Sequence, residues 1–147
     1  NPDPNHVKGS HPNAAAHAEK NLRSLVIPAG PLTYASAIDD PARFKSSKQT
    51  GPHFGLTPKR CQSGEIDRSG RVSKVGDASV RQALYQAAHV MLTKPVKGCP
   101  QLKGWAMRIA RRAGSSKAKV ALARKLAVIL HRMLANETPF SAAAAAA

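Results

Sequence analysis

Ser63 stands between Gln62 and Gly64 in a segment, residues 51–76, that sets Lys59, Arg60, Arg68, Arg71 and Lys74 among Gly51, Gly55, Gly64, Gly70 and Gly76. Glycine lets a backbone approach a bulky ligand closely, and successive amides in such a turn can cradle an anion. Arginine and lysine supply the matching charge for a phosphate. From Arg43 to Arg81 there are nine bases against three acids, a local balance of +6. Two chemistries fit these residues: holding a phosphate without reaction, or reacting at it. Composition alone favours the first, because a Gly/Ser/Arg loop carries little specificity by itself.

Other constellations fail on spacing. There is no G-x-x-x-x-G-K-S/T run, so P-loop nucleotide hydrolysis has no support. A two-metal nuclease needs several converging carboxylates. Outside the first 21 residues the chain offers Asp39, Asp40, Glu65, Asp67, Asp77 and Glu137, most of them at turn or cap positions. Ser63, His89 and Asp77 are the residue types of a hydrolytic triad, but His89 falls between Ala88 and Val90 in a helical pattern, where a packed histidine is expected instead. His6, His11 and His17 are five and six residues apart, which puts no pair on one turn of a helix. Cys61 and Cys99 lack a CxxC partner and indicate neither a disulfide framework nor a zinc site. No metal site or cofactor is expected in this chain.

The elements that must position the loop follow from periodicity and punctuation. Residues 1–21 carry three prolines, a glycine and three histidines without an apolar period and are expected to be a disordered tail. Residues 22–38 place Pro28, Gly30 and Pro31 between apolar stretches, suggesting helix, tight turn, helix. Asp39, Asp40 and Pro41 make a cap-like start, with Phe44 inward and Arg43, Lys45 and Lys48 outward. The glycine and proline density of residues 51–76 forbids a long helix and favours a loop or a short hairpin.

Three helices are then predicted. The first is capped by Asp77 or Ser79, runs to about Thr93 and buries Val80, Leu84, Ala87, Ala88, Met91 and Leu92. The second, about Leu102 to Ala113, buries Leu102, Trp105, Ala106 and Ile109 and exposes Arg108, Arg111 and Arg112. The third, about Ser116 to Asn136, carries an apolar stripe from Val120 to Leu134 opposite Lys117, Lys119, Arg124, Lys125 and Arg132. The expectation is a mainly α fold: a small helical domain over residues 22–140 with one irregular glycine-rich loop, disordered tails, and a low-complexity alanine run at 141–147.

Charge identifies the partner class. The 147 residues hold 23 Lys+Arg and 8 Asp+Glu, a formal net charge of +15. From Ala78 to Asn136 there are twelve Lys or Arg and no carboxylate. An ordinary helical surface interleaves both signs, so an acid-free stretch of this length predicts a surface that follows a phosphate backbone. Lys59, Arg60, Arg68, Arg71, Lys74 and Arg81 in and beside the loop, and Arg108, Arg111, Arg112, Lys117 and Lys119 on the helices, are the candidate nucleic-acid-binding residues. No apolar run approaches the roughly 18 residues that span a membrane. A reduced, cytoplasmic setting is expected.

The string GLTPKRCQSGEIDRSGRVSKVGDASVRQALYQAAHVML, Gly55 to Leu92, resembles the C-terminal domain of insertion-sequence 110 and 1111 family transposases. The flanking IDDPARFKSSKQTGPHF and KGWAMRIARRAGSSKAKVALARKLAVILHRML fit the same domain, so the resemblance covers about Leu22 to Phe140. The L-T-P-x-x-x-Q-S-G-E, S-K-x-G-D and K-A-x-x-A-x-A-R-K-L elements carry its specificity.

The resemblance implies a DNA recombinase in which this domain follows a RuvC-like domain with a four-carboxylate site for Mg2+. It also implies a structured guide RNA that pairs with DNA, and a serine that forms a covalent phosphoserine link. By motif position that serine is Ser63. With no room for a RuvC-like domain before Leu22, the chain is expected to be incomplete alone, a truncated copy that needs such a domain or a full-length transposase, in a homo-oligomer. A bacterial, nucleoid-associated location follows. The rival expectations are a non-catalytic DNA- or RNA-binding module and a transposase relic.

Overall fold

The computed structural model describes residues 30–38, 40–63, 66–95 and 99–136. The architecture is mainly α, as expected. Helix α1 (Gly30–Ala37) leads through two short 3-10 turns, Pro41–Arg43 and Ser47–Gln49, to a single helical turn, α2 (Thr50–His53). A two-stranded antiparallel hairpin follows, β1 (Pro58–Ser63) and β2 (Ile66–Val72), and then α3 (Ala78–Thr93), α4 (Pro100–Ala113) and α5 (Ser115–Asn136). The expected tails at 1–21 and 141–147, and the first half of the expected helix pair at 22–38, lie outside the described residues.

Local chemistry sets the boundaries. Asp77 caps α3, its Oδ1 accepting from the amides of Ser79 at 2.8 Å and Val80 at 3.3 Å. Pro100 sits in the first turn of α4, where its missing N–H costs nothing, and Gly114 at φ +94 ends that helix. Asp40 caps the first 3-10 turn through Ala42 N, and Ser46 caps the second through Lys48 N. Phe44 is half-buried while Arg43, Lys45 and Lys48 are exposed, as the pattern predicts.

Helix α5 is the axis of the domain. Its 22 residues extend about 33 Å at ~1.5 Å per residue. It packs against α1, α2, α3, α4 and both 3-10 turns. Ala118, Ala123 and Ala127 are buried on it, which lets neighbouring backbones come close. Leu122, Leu126, Ile129, Leu130 and Met133 complete its contribution to a core that also holds Val80, Leu84 and Met91 of α3 and Leu102 and Ala106 of α4. Trp105 and Ile109, expected inside, are only half-buried, because α4 packs mainly on α5 along a narrow stripe and touches α3 less. Trp105 lies under Lys125 Nζ, 4.6 Å from the ring centroid, a cation–π contact that holds the ring at the surface.

The remaining aromatic groups bind the early segment to this axis. Tyr34 Oη donates 2.6 Å to Ala127 O, and its ring lies 5.4 Å from that of Phe54. Phe54, His53, Phe44 and His131 then follow as a run of edge-on contacts, with centroids 4.9, 5.1 and 5.2 Å apart. Among the described residues every buried side-chain nitrogen or oxygen has a hydrogen-bond partner.

Candidate nucleic-acid interface

The glycine-rich segment is a two-stranded hairpin with a fixed root. Pro58 pairs with Val72, Arg60 with Ser69, Cys61 with Arg68, Gln62 with Asp67 and Ser63 with Ile66, with one bulge between Pro58 and Arg60. Five residues separate root and tip along β1, roughly 16 Å at ~3.3 Å per residue. Ser63 ends β1, the last residue of that strand before the connection. Arg60, Ser63 and Arg68 are placed through their backbone.

The root is over-determined. Gly55 at φ +67 and Gly76 at φ +85 bring the two ends of the segment together. A Cβ on Gly55 would lie 2.4 Å from the Val75 backbone, and one on Gly76 would lie 2.1 Å from His53 O. Ser73 N donates to Thr57 O at 3.0 Å and Lys74 N to Gly55 O at 3.2 Å. Arg81, from α3, closes the root with Nη1 donating to Phe54 O and Val75 O, both at 3.3 Å. The sequence suggested Arg81 as a nucleic-acid contact. Here its guanidinium is half-buried and engaged, so it fixes the hairpin against the domain.

The other cations sort by place. Lys59, Arg71, Lys74, Arg108, Arg111, Arg112 and Lys117 are exposed, and Lys119 is half-buried on α5. Arg71, Lys74 and Lys117 come together with Arg124 around a groove of about 760 Å³ between the hairpin root and the start of α5. Ala121 and Arg124 are shared with a second groove of about 420 Å³ that holds Lys48, Lys125 and Arg132. Trp105 and Lys125 are shared with a third of about 500 Å³ that holds Arg108. The three form one continuous track along α5, and among the described residues no Asp or Glu lines any of them. Arg111 and Arg112 in the last turn of α4 are outside it.

Lys48, Arg124, Lys125 and Arg132 were legible only as polar positions and not as site residues. The signal was present: 117, 121, 124, 128 and 132 recur at three and four residues, one face of α5. Two local contacts set the track. The stem of Arg124 runs against Gly51, where an added Cβ would lie 2.8 Å from Arg124 Cγ. His131 is buried on α5 and holds the turn that carries Lys48. Its Nε2–H donates to Pro41 O at 3.0 Å, because a carbonyl can only accept. Its Nδ1 meets Ser47 Oγ at 2.8 Å.

Among the other chemical candidates, His89 is exposed on α3, where a packed ring was expected; among the described residues the buried histidine is His131. Asp77 Oδ1 is occupied at the cap, and His89 is twelve residues along α3, roughly 18 Å at ~1.5 Å per residue. A Ser63–His89–Asp77 triad is therefore ruled out. Among the described residues no group of three His, Cys, Asp or Glu comes together that could hold a metal ion. Cys99 is a buried free thiol, its pKa pushed up by burial. No described helix is long and apolar enough to cross a membrane.

Comparison with known proteins identifies the family. Residues 28–100 match the transposase IS116/IS110/IS902 family. A probable family 20 transposase of Pseudomonas aeruginosa is 29% identical over 112 residues, 74% of this chain and 33% of the relative. The transposase for insertion sequence element IS1328 of Yersinia enterocolitica is 31% identical over 133 residues, 88% of this chain and 40% of the relative. The transposase for IS1111A of Coxiella burnetii is 27% identical over 109 residues, 74% of this chain and 30% of the relative. The chain thus spans 30–40% of the length of these curated relatives. The family match includes the helix before the hairpin, the rooted hairpin itself and the capped α3, and on that match the chain belongs to the IS116/IS110/IS902 family of transposases.

Proposed function

We propose that this chain is the DNA-handling, serine-bearing part of an insertion-sequence transposase, and that it acts in strand cleavage and rejoining through Ser63. The observation that supports this most is the pairing of a rigidly rooted hairpin, which ends on Ser63, with an acid-free cationic track beginning at its root. Phosphate contacts fix register and orientation on a duplex, and the track supplies them along one face. Ser63 then stands at the end of β1, away from that grip along the strand.

The chemistry balances without ATP. Ser63 Oγ attacks the phosphorus of a phosphodiester, forming an O–P bond as the bond to one sugar oxygen breaks. The serine proton leaves to solvent or a base, and the departing sugar oxygen gains one. A sugar hydroxyl of another strand reverses these events, so the phosphodiester is stored on serine and rebuilt. Arg60 and Arg68, in the strands nearer Ser63, supply charge to oppose the developing negative oxygen, while exposed Arg71 and Lys74, at the root roughly 16 Å away at ~3.3 Å per residue, grip the strand backbone. The family's four-carboxylate Mg2+ site does not fit the described residues, which gather no such cluster, and belongs to a RuvC-like partner domain in cis or trans. A structured guide RNA and a second copy of the chain complete the proposed assembly.

Binding and chemistry separate experimentally. For the full chain on duplex DNA, log affinity should fall steeply with log salt, and Lys117→Ala should shallow the slope by about one. Ser63→Ala should leave that slope intact. A salt-insensitive affinity would remove the reading.

A further inference from the structure

We propose that the groove between the hairpin root and α5 holds an unpaired nucleotide of single-stranded DNA. This rests on the DNA-handling function proposed above and assigns the groove one strand form. The floor of the groove is aliphatic, buried Leu56 with half-buried Val72, Val120 and Ala121, and exposed Pro58 lies at its edge. Its rim is cationic: Arg71, Lys74, Lys117 and Arg124. Among the described residues Ser116 is the one neutral hydroxyl at its edge. A volume of about 760 Å³ lies in the range of pockets that enclose a nucleotide-sized ligand.

Each ligand class meets this lining differently. A duplex seals its bases inside, so its backbone could touch the rim and leave the apolar floor in water. A peptide laid in the groove would bring backbone N–H and C=O groups against a floor with almost nothing to pair them. An unstacked base presents a polarisable face to apolar side chains while its phosphate sits among cations. A ribose would add a 2′-hydroxyl that the floor cannot pair, which favours DNA over RNA. The groove also lies at the root of the strand pair that ends on Ser63, where a strand opened at the tip would be led away.

The test compares fluorescent single-stranded octamers with equal phosphate counts on the full chain (oligo-dT, the same backbone made of abasic sites, and oligo-rU) and, alongside them, a hairpin duplex. Oligo-dT should bind at least about fivefold more tightly than the abasic strand, the lower end of one base-stacking contact. Ala121→Met fills the floor without altering charge. It should abolish that preference, bringing oligo-dT to the affinity of the abasic strand. The abasic comparison uses the wild-type chain and stands even if Ala121→Met folds poorly. Equal binding of oligo-dT and abasic strands, tighter binding of oligo-rU, or competition by an acidic amphipathic peptide that displaces oligo-dT but not duplex would each overturn the assignment. If duplex and abasic strands bind with a steep salt dependence and no base preference is seen, only the groove assignment falls. If no DNA binds, the DNA-handling function falls with it.

Discussion

Gly76→Ala should release the root of the hairpin, and the cost follows from the geometry. Gly76 adopts φ +85, a region that costs an L side chain about 1–2 kcal/mol. The new Cβ would lie 2.1 Å from His53 O and 3.4 Å from Phe54 Cα, both backbone atoms that no rotamer change can move. Relief requires the two segments to part by about 1 Å, measured against an ordinary carbon–oxygen contact of about 3.3 Å. Such a shift takes Lys74 N→Gly55 O (3.2 Å) and Arg81 Nη1→Phe54 O (3.3 Å) beyond hydrogen-bonding distance. Each bond contributes about 1 kcal/mol, so the total is about 3–4 kcal/mol. Gly114→Ala is the control without a clash. It has φ +94, ψ 157 and nothing within 4 Å of its Cβ, so it should cost only backbone strain, about 1–3 kcal/mol. Urea denaturation followed by circular dichroism should resolve a difference of about 1–2 kcal/mol, or roughly 3–6 °C in melting temperature. Equal destabilisation by the two substitutions would refute the close contact at the root and the rigid presentation of Ser63 with it.

Other outcomes follow from the same contacts. Asp77→Ala removes the α3 cap and should cost about 1 kcal/mol in urea denaturation, with Asp77→Asn retaining most of it. Arg81→Met should destabilise by about 1–2 kcal/mol yet leave the salt slope of DNA binding unchanged, unlike a true phosphate contact. Tyr34→Phe leaves Ala127 O without its 2.6 Å donor and should cost about 1 kcal/mol. Burial raises the Tyr34 pKa above its ordinary value of 10.0, offset in part by the Thr50 hydroxyl. Below pH 10 the phenol is neutral in both states and its contribution is complete. Above that, the unfolded chain ionises first, so stability falls with rising pH, and Tyr34→Phe should flatten that fall in alkaline unfolding curves.

The helices were legible because their signals are local. Asp77 followed by a three-four apolar spacing reads directly as the start of α3, and Gly114 separates α4 from α5 within a residue of where the structure does. The hairpin was half-legible. Glycine density excluded a helix, but the P-K-R-C-Q-S stretch of β1 has no apolar alternation, and its register comes from pairing across the turn. The role of Arg81 was hidden for the same reason, since its two acceptors are carbonyls made available only when Gly55 and Gly76 bend the chain. His89 and His131 exchanged their expected places. A histidine among alanine and valine looks packed, whereas His131 is buried by partners at Pro41 and Ser47, about ninety positions away in the chain. The track was visible as charge and as a helix face, but its continuity depends on Lys48 and Trp105 arriving from other elements.

The central claim is that Ser63 takes the DNA strand. The direct measurement is to incubate the full chain with a supercoiled element end, the element's RNA and a four-carboxylate domain, denature the mixture, and map any DNA–protein adduct by peptide mass. A nucleotide mass on the peptide containing Ser63, lost in Ser63→Ala while duplex binding is retained, is the predicted result. An adduct on another residue, or one formed equally well by Ser63→Ala, would contradict it.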